Sequence, residues 1–318
     1  MSLLSVILPS YNEELMIKKA AQTVSRILSD ACIPFELIFV DDGSKDKTWQ
    51  MIQEVSGEDM RVKGVHFSRN FGKESAIIAG LAEASGGCCA VIDCDLQHPP
   101  EKIVEMYRLW EQGYEVIEGQ KSNRGTESTT HSFAAKAFYG LISKATGFDM
   151  ENASDFKLLD RKAVDVLINM HERNAFFRAL SSWIGFETAT VTFDVRDREA
   201  GESKWSTWSL VKYALNNTSS FSTAPMQIVT ILGIIVFVIS VVIGVTSLVQ
   251  KIMGIAQPGF TTVILILLFS SSIIMISLGI IGFYIARIYE EIKGRPKYII
   301  SRTCGDIKDK ADDKEIIG

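Results

Sequence analysis

The chain has 318 residues, with 33 Lys plus Arg against 38 Asp plus Glu and a formal charge of −5. That length accommodates one large domain with an appendage, and the acidic balance argues against nucleic acid as the main partner. The five cysteines (Cys32, Cys88, Cys89, Cys94, Cys304) show no metal-ligand spacing, which excludes a structural zinc site and reads as reduced thiols used as small apolar residues.

The first run, Leu3–Leu8, follows no basic segment and reads as a buried strand rather than a signal peptide. Further strands are expected at Glu36–Val40, Val62–Phe67, Cys88–Ile92 and Glu115–Glu118. Between them, helical patterns run over Glu14–Ser29, Asp46–Val55, Lys73–Ala84 and Pro100–Gln112. This alternation predicts an α/β domain with a Rossmann-like, mostly parallel sheet and helices on both faces. Such sheets bind ligands beyond the carboxyl ends of their strands.

Four strands end in polar clusters: Pro9-Ser10-Tyr11-Asn12-Glu13-Glu14, Asp41-Asp42-Gly43-Ser44, Ser68-Arg69-Asn70-Phe71-Gly72-Lys73 and Asp93-Cys94-Asp95-Leu96-Gln97. One alone would pass as a turn and helix cap, but four on one rim point to a site. Neither a Walker loop nor a GxGxxG fingerprint is present, so phosphates would be held by a metal and basic side chains. Asp93 and Asp95 leave a buried strand one residue apart, with the Gln97 amide close behind. They suit a hard divalent cation, which takes one or two carboxylates together with substrate phosphates. Arg69, Lys73, Lys121, Arg124 and Lys136 are candidate contacts to a diphosphate or an acceptor. The histidines (His66, His98, His131, His171) are scattered and read as structural.

Composition changes near residue 212. No charge occurs from Tyr213 to Gln250, nor from Ile252 to Ala286. Met226–Gln250 and Thr262–Ile285 each exceed the roughly 20 apolar residues that cross a bilayer. Lys204 and Lys212 precede the first run, and Arg287, Lys293, Arg295, Lys297 and Arg302 follow the second. The positive-inside rule then places both termini in the cytoplasm, as a multi-pass protein of the inner (plasma) membrane with a cytosolic catalytic domain. Trp205, Trp208, Tyr213 and Leu215, beside Lys204 and Lys212, fit an amphipathic helix in the headgroup layer. Around Tyr298–Ile300 a short strand could pack on its own domain or on a neighbouring subunit, which leaves a homo-oligomer open. Asp306–Glu315 reads as a charged, frayed end. The resulting organisation is a catalytic domain over 1–203, a juxtamembrane segment over 204–225, spans over 226–250 and 262–286, and a tail over 287–318.

These motifs, with Asp93–Pro100 the most specific and with Ser154-Asp155-Phe156-Lys157, Gly201-Glu202-Ser203-Lys204-Trp205 and Gly294-Arg295-Pro296-Lys297-Tyr298 added, resemble the polyprenyl-phosphate glycosyltransferases of glycosyltransferase family 2. That group contains dolichyl-phosphate mannose synthase and the bactoprenol glucosyltransferases. The resemblance implies a GT-A catalytic domain followed by two transmembrane helices. It implies that Asp93, Asp95 and Gln97 hold Mg²⁺ or Mn²⁺ on the donor diphosphate, with Asp95 also counted as catalytic. Tyr11, Glu13, Asp41 and Asp42 would line the nucleoside pocket, with Pro9 heading that segment. Asp155 matches the acidic residue given a catalytic role, and Arg198, Ser203 and Lys204 match the segment near the lipid phosphate. Two departures stand out: Lys121 replaces a common arginine, and Phe156-Lys157 replaces Phe-Arg. Lysine keeps the charge but loses bidentate phosphate recognition.

The reaction implied is attack of a polyprenyl-phosphate oxygen on the anomeric carbon of a nucleotide sugar, a UDP-hexose by family usage, in one inverting displacement. The alternatives are a family 2 transferase acting on another lipid or polysaccharide, and a non-catalytic membrane sensor of nucleotide sugars. For Asp155 the alternative role is to cap a helix starting near Leu159.

Overall fold

The structure, a computed structural model, describes residues 2–122, 153–170, 177–194, 224–254 and 259–306. Its strands are β1 (Leu4–Ser10), β2 (Phe35–Asp41), β3 (Val62–Phe67), β4 (Cys88–Val91), β5 (Val116–Lys121), β6 (Ala153–Asp160), β7 (Thr188–Phe193) and β8 (Ile300–Cys304). The helices are α1 (Ile17–Asp30), α2 (Thr48–Glu58), α3 (Lys73–Glu83), α4 (Glu101–Glu111), α5 (Arg161–Asn169), α6 (Phe177–Trp183), α7 (Ala224–Ile252) and α8 (Phe260–Ile292).

Every residue of β1 and β2 is buried, as expected of strands covered on both faces. Leu4, Val6 and Leu8 of β1 join one core with Ile17, Ala20, Val24 and Leu28 of α1. The apolar positions of α1 recur at helical spacing, so its inward stripe is written in the sequence. On the opposite face α3 lies close: a Cβ added at Gly80 would come within 2.4 Å of Ile7 Cγ2. Only a residue without a side chain lets this helix sit so near β1.

The strands form one sheet in the order β7-β5-β6-β4-β1-β2-β3-β8. Strands β4, β1, β2 and β3 are mutually parallel, so their carboxyl ends share a rim. The chain steps outward from β1 to β3 and returns to place β4 on the other side of β1. That reversal opens a crevice at the carboxyl ends of β1 and β4, where open α/β sheets bind ligands. Strand β6 is antiparallel to β4, pairing Lys157 with Val91, so its first residues reach the same rim.

The strand expected near residue 299 is β8, which pairs antiparallel with β3. It packs on its own domain. Ser68 N–H donates to Ile299 O (3.0 Å), Tyr298 stacks on Phe67 with ring centroids 5.2 Å apart, and Lys297 Nζ donates to Met170 O (2.5 Å).

The chain divides into two compact units, 1–205 with 295–318, and 206–294. Within the second, α7 and α8 are single helices of 29 and 33 residues that cover the two apolar runs. Among the described residues, Phe269–Ala286 is long and apolar enough to cross a membrane, while the apolar stretch Ile231–Ile243 of α7 is shorter than a span. Both helices expose apolar side chains, among them Ile234, Val238, Phe269 and Met275.

Candidate active site

The first two polar clusters are interlaced. Asn12, at φ 55°, donates its N–H to Ser44 Oγ (2.9 Å), and its own Oδ1 accepts from Lys45 N–H (3.0 Å). Glu13 N–H donates to Thr48 Oγ1 (2.8 Å), and Lys47 N–H donates to Glu14 Oε2 (2.9 Å). Much of these motifs therefore fixes two loops against each other. Pro9 is buried in β1 beside Val40, whereas Tyr11 is exposed at the crevice rim.

Asp41 and Asp42 stand at the end of β2 with their carboxylates turned onto protein donors. Asp41 Oδ2 lies 2.7 Å from His66 Nδ1, and its Oδ1 accepts from Ser44 N–H (3.0 Å). Asp42 Oδ1 accepts from Phe71 N–H (2.6 Å) and Oδ2 from Gly72 N–H (2.9 Å), so it clamps the loop after β3. Burial pushes the Asp42 carboxyl up to about 6, although those two N–H groups favour its anion. Gly43 has φ +66°, and a Cβ there would lie 2.4 Å from the Arg69 carbonyl carbon, so the turn requires glycine.

The centre of the site is an alternating chain of charges. Lys73, opening α3, places Nζ 2.6 Å from Asp93 Oδ1 and 2.7 Å from Asp155 Oδ2. Arg178 of α6 grips Asp155 as a fork, Nε to Oδ1 at 2.6 Å and Nη2 to Oδ2 at 2.9 Å. The Asp155 side chain is 5% exposed, against 41% for Lys73. Burial opposes ionisation of Asp155, but the Lys73 and Arg178 cations outweigh it and hold the carboxyl well below the usual range. The same balance favours the charged ammonium of Lys73: burial disfavours it, and Asp93 and Asp155 raise its pKa nonetheless.

Asp155 lies in β6 and is not a helix cap. The cap of α5 is Asp160, whose side chain accepts from Lys162 N–H. Glu74 supports the arrangement from behind, its Oε2 accepting Phe177 N–H (2.8 Å) at the start of α6. Burial, and then Asp155, raise the Glu74 carboxyl.

Lys157 does not face the crevice. It is fully buried, with Nζ 2.5 Å from Glu118 Oε1 and 2.8 Å from Ser181 Oγ. The lysine in place of the common arginine therefore braces β6, β5 and α6 instead of meeting a phosphate. Lys121 is exposed at the end of β5, on the rim. Arg198, Ser203 and Lys204, with Arg124 and Lys136, lie outside the described residues.

Asp95 lies on the loop after β4, with Oδ1 accepting from Gln97 N–H (3.1 Å), and Leu96 between them has φ 56°. His98 is buried, stacked on Phe156 (5.3 Å) and edge-on to Phe193 (5.2 Å). Its Nδ1 lies 3.8 Å from Asp93 Oδ2 and has no hydrogen-bond partner among the described residues. Burial lowers its pKa, against the pull of the Asp93 carboxylate.

Among the described residues no three His, Cys, Asp or Glu side chains gather as a complete metal cage. Two carboxylates and an amide, all oxygen donors on one loop, fit a hard cation that draws its remaining ligands from phosphates and water. Sequence reasoning missed Arg178 and Glu74. The available signal was Arg178 as the lone charge within Ala175–Trp183.

A profile of glycosyl transferase family 2 matches residues 5–180. The chain is 37% identical over 304 residues to an uncharacterized glycosyltransferase of Synechocystis sp., covering 95% of this chain and 96% of that protein. It is 36% identical over 302 residues to the SfII prophage-derived bactoprenol glucosyl transferase of Shigella flexneri, covering 94% and 98%. Among solved structures, glucosyl-3-phosphoglycerate synthase of Mycobacterium tuberculosis with Mn²⁺ and UDP-glucose is 20% identical at a TM-score of 0.46, covering 67% of this chain and 76% of that one.

Proposed function

Because the chain belongs to glycosyl transferase family 2 and is a glycosyltransferase, we propose that it transfers a sugar from a nucleotide sugar, a UDP-hexose, to the phosphate of a membrane polyprenyl phosphate. Near full-length similarity to proteins named bactoprenol glucosyl transferase supports that acceptor. The observation that carries the proposal is the state of Asp155. Its carboxylate receives two bonds from Arg178 and one from Lys73, which suits it poorly to taking a proton. A sugar hydroxyl acceptor would need a base. A phosphate monoester, with a second pKa of about 6, is already largely ionised at neutral pH and needs none.

Asp155 then acts as a fixed anion beside the reacting centre, favouring positive charge as it develops on the sugar ring. Asp93 and Asp95, with Gln97, would hold Mg²⁺ or Mn²⁺, which when bound supplies Lewis-acid neutralisation of the departing diphosphate. Lys73 and Lys121 stand on the same rim to share that charge. Tyr11 and Glu13, with Pro9 behind them, border the donor side of the crevice. Arg198, Ser203 and Lys204 serve the acceptor phosphate in this reading. None of the described side chains suggests a covalent intermediate, so one inverting displacement is the economical course. In this reading α7 and α8 form a membrane hairpin with both ends on the cytoplasmic side, crossing the bilayer over 226–250 and 262–286.

The test is transfer of labelled sugar from UDP-glucose and other nucleotide sugars by the full chain in lipid nanodiscs. Label should enter the lipid only when undecaprenyl phosphate and Mg²⁺ or Mn²⁺ are both present. Equal incorporation into a neutral glycolipid, or into lipid without the phosphate, would refute the acceptor assignment.

A further inference from the structure

Lys73 makes two contacts that cannot both persist in the proposed reaction. Its Nζ lies 2.6 Å from Asp93 Oδ1, an oxygen that a divalent cation would need, and 2.7 Å from Asp155 Oδ2. The two acids differ in how firmly they are held. Asp155 is buried and forked by Arg178, whereas Asp93 is 26% exposed, has no such fork, and lies on the loop after β4. Lys73 itself is 41% exposed at the first turn of α3, with a four-carbon stem free to swing. A firm anchor on one side and a looser partner on the other define a direction of movement.

We propose that Lys73 is an exchangeable counter-ion: it neutralises Asp93 until a divalent cation takes that carboxylate, and then, pivoting on Asp155, turns its ammonium to the donor diphosphate. The exchange conserves charge in the site, because a dication replacing Lys73 on Asp93 arrives together with phosphates that accept the released ammonium. It also makes the metal and the nucleotide bind as a pair. The cation alone must displace an ion pair, while the cation with a diphosphate gives Lys73 a new partner. His98, with its unpartnered Nδ1 3.8 Å from Asp93 Oδ2, stands by the other oxygen of the carboxylate from the one Lys73 holds. The inference rests on the donor reading given above.

The test is direct binding, by titration calorimetry and by the electron-spin signal of free Mn²⁺, on the full chain in nanodiscs. The probes are Mn²⁺ alone and Mn²⁺ with UDP. Wild type should bind Mn²⁺ alone weakly and Mn²⁺ with UDP well. Lys73→Met removes one positive charge beside the carboxylate. It should bind Mn²⁺ alone about tenfold more tightly, yet bind Mn²⁺ with UDP about tenfold more weakly. Lys73→Arg keeps the charge and should stay within about threefold of wild type for Mn²⁺ alone. The opposite signs distinguish exchange from damage, since misfolding would weaken both. If wild type binds Mn²⁺ with UDP but Lys73→Met binds Mn²⁺ alone no more tightly than wild type binds Mn²⁺ alone, the exchange is overturned and the donor reading stands. A wild type that binds neither probe overturns both.

Discussion

Replacing Arg178 by Ala tests whether the buried fork on Asp155 sets both stability and chemistry. Breaking a buried ion pair by removing one partner costs about 3–5 kcal/mol, because the remaining charge is left uncompensated. Here the Arg178 side chain is 33% exposed and Lys73 stays on Asp155, so solvent and the second cation reduce the cost to about 2 kcal/mol. For a domain of this size, 1 kcal/mol corresponds to roughly 2–4 °C in Tm, giving a fall of about 4–8 °C. Trp49 packs in the core of this domain, Trp110 packs against it and Trp183 ends α6, so fluorescence-detected melting in nanodiscs reports on the domain that holds the fork. The pH dependence has a defined sign. A carboxyl held below its ordinary pKa contributes stability that is complete above about pH 4 and is lost only as pH falls through the lower folded value. The gap between wild type and Arg178→Ala should therefore be level from pH 5 to 8 and close in stronger acid. Arg178→Lys keeps one contact and should recover about half of the lost Tm. Melting of the alanine variant within about 1 °C of wild type, or a gap that has closed by pH 6, would refute the reasoning.

Asp155→Asn should abolish most sugar transfer while leaving Mn²⁺-dependent UDP binding within about twofold, measured by turnover and calorimetry. Asp42 behaves in the opposite sense to Asp155. Its folded carboxyl lies at about 6, so between pH 4 and 6 its ionisation destabilises the fold by up to about 3 kcal/mol. Asp42→Asn should flatten denaturant-derived stability across that interval, and an unchanged slope would discard the assignment. Tyr298→Ala removes the stack on Phe67 and should lower Tm by about 3–6 °C through loosening of β8. Proteolysis near residue 300 would report that loosening directly, and a Tm equal to that of wild type would mean the stack is dispensable.

The sheet was legible because its signals are local. Mostly apolar runs at Leu4–Leu8 and Phe35–Val40, interrupted only by Ser5 and Glu36 and separated by the periodic face of α1, admit few arrangements. The rim was legible for the same reason, since each polar cluster directly follows its strand. What escaped depends on register between distant segments. Arg178 meets Asp155 across 23 residues and Lys73 meets it across 82, and no spacing rule links such positions. The strand β6, inserted antiparallel between β4 and β5, could not be placed by a pattern that predicts parallel neighbours. The roles of Lys157 and Asp42 were obscured by burial: sequence shows a charge but not whether protein or ligand neutralises it. Asp41, Asn12 and Thr48 show the same limit, as motif residues whose hydrogen bonds turn inward.

The pairing of β8 with β3 bears on the order in which this protein is made. Strand β3 is complete by residue 67, yet its neighbour begins at residue 300. During synthesis from the N-terminus, the outer edge of β3 stays unpaired while more than two hundred further residues are added, including both long apolar helices. An unpaired edge is a template for the wrong strand. The sheet thus receives its last strand only after both long helices have been synthesised, and the outer edge of β3 stays open until the C-terminal segment arrives.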